Sequence, residues 1–80
     1  MKIFILEPVD PYDSMWTGYD LFDGFVIQAE DEKQARGIAD ANGADENLFQ
    51  RPWLSDEYTT CKELVAGDGP GVILSSFNAG

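Results

Sequence analysis

The chain has 80 residues, with fifteen Asp or Glu against five Lys or Arg, no His and one Cys, so its formal charge is −10. That length predicts one domain spanning residues 1–80, with a core too small to enclose a large enzyme pocket. An apolar share of 44%, with two Trp, three Tyr and five Phe, excludes plain disorder, and ten net negative charges disfavour direct contact with nucleic-acid phosphates.

Residues 2–7, Lys2-Ile3-Phe4-Ile5-Leu6-Glu7, read as a first strand closed by Pro8. Its apolar residues are consecutive, so both faces call for cover. A central place in the sheet would account for that, although the pattern alone does not assign the central strand. The run from Ile3 to Leu6 is shorter than a signal-peptide core of roughly 7–15 apolar residues or a membrane helix of about 20. The expectation is therefore a cytoplasmic chain with no membrane contact.

Residues 9–23 read as a long loop. It carries Asp10, Asp13, Asp20 and Asp23 among the large side chains Tyr12, Trp16, Tyr19, Leu21 and Phe22. So many rings predict a segment packed at least partly onto the body, and a loop this long is a candidate functional element. Residues 24–29 read as a second strand. The clearest helix follows, with Asp31 as N-cap, Gln34 completing a capping-box pattern and Gly43 suited to the position after its end. Ala35, Ile38 and Ala39 form a narrow apolar stripe that predicts close approach to a sheet. Gly37 weakens the helix, for close approach or by tolerance.

Residues 44–57 are irregular, with Asp45, Glu46, Asp56 and Glu57 as a further acidic set and Leu48, Phe49, Trp53 and Leu54 as anchors. Residues 58–65 read as a third strand. Residues 66–71 form a Gly- and Pro-rich turn, and residues 72–77 read as a fourth strand making a hairpin with the third. The predicted fold class is α+β: a mainly antiparallel sheet of about four strands with one helix packed on one face.

The absent chemistry is as informative. Without His there is no imidazole metal site, no Ser-His or Cys-His pair and no base naturally poised near neutral pH. A single Cys cannot build a CxxC-type zinc site or an internal disulfide, which fits a reducing compartment. Cys61 is either a handle for an intermolecular disulfide or a small residue packed beside a strand. Gly67-Asp68-Gly69-Pro70-Gly71 lacks the lysine and the following helix of a phosphate loop. The aspartates of residues 10–23 lack EF-hand spacing. The reading is a protein that is not an enzyme and takes no cofactor or metal.

Charge is the strongest remaining feature. It serves solubility, or recognition of a basic surface in which carboxylates stand in for phosphates. The acids fall in three patches, and large rings lie among the first and third, as steering charge and hot-spot anchors would. The candidate partner-binding residues are Asp10, Asp13, Asp20, Asp23, Asp31, Glu32, Asp45, Glu46, Asp56 and Glu57, with Trp16 and Trp53 as anchors or as core. The basic residues have quieter roles: Arg36 pairs with Glu32 one turn away, and Arg51 stacks on a ring or is solvated.

Two stretches carry a resemblance: Gly24-Phe25-Val26-Ile27-Gln28-Ala29-Glu30-Asp31-Glu32-Lys33-Gln34-Ala35-Arg36, and Gly71-Val72-Ile73-Leu74-Ser75-Ser76-Phe77-Asn78-Ala79-Gly80. With Trp53-Leu54 and Thr60-Cys61-Lys62-Glu63-Leu64, they resemble short acidic proteins of phages and bacterial mobile elements. Among these, the chain looks most like anti-CRISPR proteins directed at a type I surveillance complex, of the type I-C kind. Such inhibitors share no fold or catalytic motif, so the resemblance assigns no site residues. It implies a mechanism class: a DNA mimic that binds the basic channel of a Cas7-like backbone, or a neighbouring Cas subunit, and blocks target DNA from loading. The alternatives are an acidic antitoxin-like or adaptor protein that neutralises another basic protein, and a small ligand- or ion-binding domain. The expected oligomeric state is a monomer or a weak homodimer.

Overall fold

A computed structural model describes residues 1–16, 21–48, 50–67 and 69–71. Lys2–Pro8 form strand β1, Phe25–Ala29 strand β2, Glu32–Asn42 helix α1 and Thr59–Leu64 strand β3. Short 3-10 turns at Ser14–Trp16, Asp45–Asn47 and Pro52–Leu54 shape the connections. Among the described residues the sheet has three strands in the order β2-β1-β3, with both pairings antiparallel. The expected fourth strand at 72–77, and the hairpin it would complete, lie outside the described residues.

β1 is the central strand. Since β2 and β3 each run antiparallel to it, they run parallel to one another, and α1 makes the crossover between them. The registers Leu6↔Phe25, Phe4↔Ile27 and Leu6↔Cys61 put one face of the sheet toward the helix. There Phe4, Leu6, Ile27 and Ala29 meet Ala35, Ala39 and Trp53 as the core, with Trp16, Phe25 and Cys61 packed at its margin. The other face carries Ile3, Ile5 and Val26. Ile5 is buried, but Ile3 and Val26 remain 46% and 63% exposed, so cover on that side is incomplete among the described residues.

α1 begins as its sequence dictates. The Asp31 carboxylate accepts a hydrogen bond from the Gln34 amide at 2.8 Å, satisfying one orphan N–H of the first turn. The Gln34 side chain reaches back to the Glu30 amide at 2.7 Å, one residue beyond the usual capping box. The apolar stripe is narrower than expected: Ala35 and Ala39 are buried, whereas Ile38 is 37% exposed. Arg36 is buried in its stead, because it finds backbone acceptors on the segment packed beside the helix.

Two glycines of the helix differ in what they do. At Gly37 a Cβ would meet open space, so tolerance and not close approach explains it. Gly37→Ala should raise stability by about 0.5–1 kcal/mol. A urea titration showing no gain would contradict this. Gly43 directly follows the helix with an extended backbone, φ −69°. A Cβ there would push aside the Asn47 side-chain amide, whose nitrogen donates to the Asp40 carbonyl at 2.9 Å.

Candidate functional site

The described part of the 9–23 loop is held by local bonds. The Val9 amide donates to the Tyr58 carbonyl at 2.9 Å, tying the loop's start to the segment before β3. Asp10 accepts from the Tyr12 amide at 2.9 Å and Asp13 from the Met15 amide at 3.0 Å, which spends one oxygen of each carboxylate locally. Trp16 then turns inward, its ring edge-on to Trp53 at 5.4 Å. The described part of the loop therefore packs on the body through Trp16, as the rings predict, while Tyr12 stays 90% exposed.

This anchoring brings distant acids together. Val9, Asp10, Asp13, Trp16, Glu57 and Tyr58 line a depression of about 240 Å³. On the far side of the 55–58 turn, Glu32, Lys33, Arg36, Leu54, Ser55 and Asp56 line a broader one of about 660 Å³. Neighbouring residues of one turn thus border both: Ser55 and Asp56 on one side, Glu57 and Tyr58 on the other. Together the two depressions draw on all three acidic patches of the sequence, and exposed Val9 and Leu54 add one apolar side chain to each.

The remaining candidates are placed elsewhere. Asp23 is exposed but lines a separate groove with Ile5, Glu7, Phe25 and Val26. Asp31 is exposed, yet its carboxylate is engaged as the helix cap. Asp45 is half-buried in its 3-10 turn, and Asp20 lies outside the described residues. Two candidates are corrected outright. Trp53 is fully buried, so it is core and not a partner anchor. Glu46, only 4% exposed, accepts from the Trp53 indole N–H at 2.7 Å and the Ala44 amide at 3.1 Å, so it serves the interior and not the surface. A sequence cannot show which acid of such a run turns inward, since that depends on a donor seven residues away.

Asp31 shows how structural and binding roles are separated. Asp31→Ala should cost about 1 kcal/mol through the lost cap, whereas Asp31→Asn keeps the acceptor and removes the charge. Comparable melting temperatures for wild type and Asp31→Asn, with Asp31→Ala lower, is the expected result of a thermal scan. Equal loss in both variants would mean that the charge, not the cap, stabilises the helix.

Of the five basic side chains, Arg36 alone is withdrawn from the surface. Arg36 is buried, and its Nε donates to Glu32 at 3.1 Å. Its role is larger than the expected surface pair, because its other nitrogens bond Trp53 and Thr59. Arg51 is largely solvated, as one of its two expected roles has it, and it pairs with Asp40 at 3.3 Å. Lys2, Lys33 and Lys62 remain exposed.

Burial pushes the Cys61 thiol above its ordinary pKa, and the Glu32 carboxylate adds to that while Arg36 opposes it. A thiol held neutral in this way is a poor nucleophile near pH 7. Among the described residues, no three His, Cys, Asp or Glu side chains are grouped so as to hold a metal ion. Among them, too, no helix is long and apolar enough to cross a membrane. No family model, curated protein or solved structure matches this chain.

Proposed function

We propose that this protein is a non-enzymatic inhibitor of the bacterial cytoplasm. In this reading it occupies a basic, nucleic-acid-binding surface of a type I CRISPR surveillance complex, on the Cas7-like backbone or a neighbouring subunit, and blocks target DNA binding. The observation that carries the reading is the convergence at the 55–58 turn. Asp10 and Asp13 reach it from one side and Glu32 from the other, beside Asp56 and Glu57 of the turn itself. Carboxylates bordering the two depressions, where Lys33 is the exposed cation among the described lining residues and Arg36 is paired with Glu32, present a partner with net negative charge of the kind a DNA-binding groove is built to hold. The resemblance of the strand–helix and C-terminal stretches to anti-CRISPR proteins supplies the choice of target.

A pull-down with the tagged chain from a bacterium carrying a type I system tests this, with washes at low and high salt. Cas subunits that are retained at low salt and released at high salt are the expected result. Recovery of some other basic protein would replace the inhibitor with the antitoxin-like reading. Recovery of nothing at either salt would leave the charge to solubility alone.

A further inference from the structure

We propose that the outer edge of β2 adds an extended segment of a partner protein to the sheet, and that this segment has an uncharged centre with Lys or Arg at each end. The inference rests on the reading that the partner is basic, and it places a second contact apart from the 55–58 turn. β1 lies between β2 and β3, so β2 is an edge strand, and its outer backbone groups meet no other strand among the described residues. A row of unpaired N–H and C=O groups is a template for a further strand.

The two edges of the sheet differ in how they are guarded. β3 carries Lys62 and Glu63, both exposed, and charges of this kind keep other strands away. β2 has no such guard. Phe25-Val26-Ile27-Gln28-Ala29 contains no charge and no proline, and its register with β1 runs from Lys2↔Ala29 to Leu6↔Phe25 without a bulge. Val26 and Gln28 are exposed along it.

Charge selects the occupant. Asp23 stands before the strand and Glu30 after it, both exposed, and every residue between them is uncharged. An added strand therefore meets a carboxylate near each end and an uncharged edge in the middle. One end is also shaped to receive a side chain. Ile5, Glu7, Asp23, Gly24 and Val26 are among the residues lining a groove of about 240 Å³ beside the start of β2. Ile5 and Val26 offer walls to the stem of a Lys or Arg, and Glu7 and Asp23 offer carboxylates to its head. Neither carboxylate has an ion-pair partner among the described residues. A second copy of this chain fits the edge less well. Antiparallel pairing of two β2 strands sets the acidic ends of one against those of the other, and like charges facing across strands are destabilising.

The test titrates the whole chain with a synthetic peptide of alternating Val and Thr that has Arg at both ends. The same peptide N-methylated at every other residue is the comparison, because it loses the backbone donors of one edge and keeps the charge. Calorimetry at about 50 mM salt should find the unmethylated peptide bound about tenfold more tightly. Hydrogen exchange should show added protection at amides within Phe25–Ala29 and none within Thr59–Leu64. Asp23→Asn with Glu30→Gln should weaken binding about tenfold at unchanged melting temperature. Val26→Lys, which installs the missing guard at an exposed position, should weaken it as well.

Equal affinity for the two peptides would overturn the inference, since charge alone would then explain binding, and would leave the basic-partner reading standing. Binding of neither peptide would overturn it too, while the pull-down of Cas subunits decides that reading separately. Protection gained within Thr59–Leu64 instead of β2 would overturn the choice of edge. Protection of β2 that rises with the concentration of the free chain would assign the edge to a second copy and overturn the proposal.

Discussion

Trp53→Ala should unfold most of the population, a larger effect than any other single truncation in this core. Trp53 is fully buried, and its ring is the hub of the aromatic packing, edge-on to Phe25 at 4.9 Å and to Trp16 at 5.4 Å. Removing a buried Trp side chain costs about 3–5 kcal/mol. A domain of this size gains only about 3–5 kcal/mol from a single core, so the loss is comparable to the whole. Far-UV circular dichroism in a urea titration is the measurement, and a folded baseline in Trp53→Ala would contradict the expectation.

Trp53→Phe isolates the polar part of the same role. It keeps an aromatic ring but removes the indole N–H that meets Glu46 Oε2, leaving a buried carboxylate oxygen without that donor. The expected cost is about 1–3 kcal/mol. Removing the charge as well, in Trp53→Phe with Glu46→Met, should recover part of it, because two apolar partners are cheaper to bury than one orphaned acceptor. A double variant that is no better than Trp53→Phe would mean that Glu46 tolerates the loss through its remaining contacts.

Removal of three surface charges should have the largest effect on binding. Asp10, Asp13 and Glu57 border one depression and are all exposed. The substitutions must be chosen with the turns in mind, since Asp10 and Asp13 each accept a backbone amide. Asp10→Asn, Asp13→Asn and Glu57→Gln together keep those acceptors and remove three charges. If each engaged charge contributes about 1 kcal/mol, the triple variant binds its partner on the order of 100-fold more weakly, with unchanged melting temperature. The pull-down reads this as loss of the fraction retained at low salt. Full retention by the triple variant would exclude this part of the face from the interface, whatever the partner proves to be.

How much of this was legible in the sequence differs by element. α1 was clear in advance because its signals are local: Asp31, Gln34 and the alanines act within one or two turns of their own helix. β1 was clear as a strand, and its unbroken apolar run agreed with the central position it takes. Arg36 is more deeply buried than Ile38 for a non-local reason. Hydropathy favours isoleucine inside, but Arg36 bonds the carbonyls of Trp53 and Thr59, which come from 17 and 23 residues away.

The charge, the absence of imidazole chemistry and the local elements are legible in the chain alone. These depend on composition and on contacts a few residues apart. Which acids share a surface depends on long-range packing. Asp10 and Glu57 are far apart along the chain, and they share a depression because Val9 bonds Tyr58 and Trp16 seats against Trp53. Asp45 and Glu46 are neighbours in sequence with the same chemistry, yet Glu46 is buried by an indole donor and Asp45 is not. Composition counts carboxylates equally; desolvation and the position of a single hydrogen-bond donor do not.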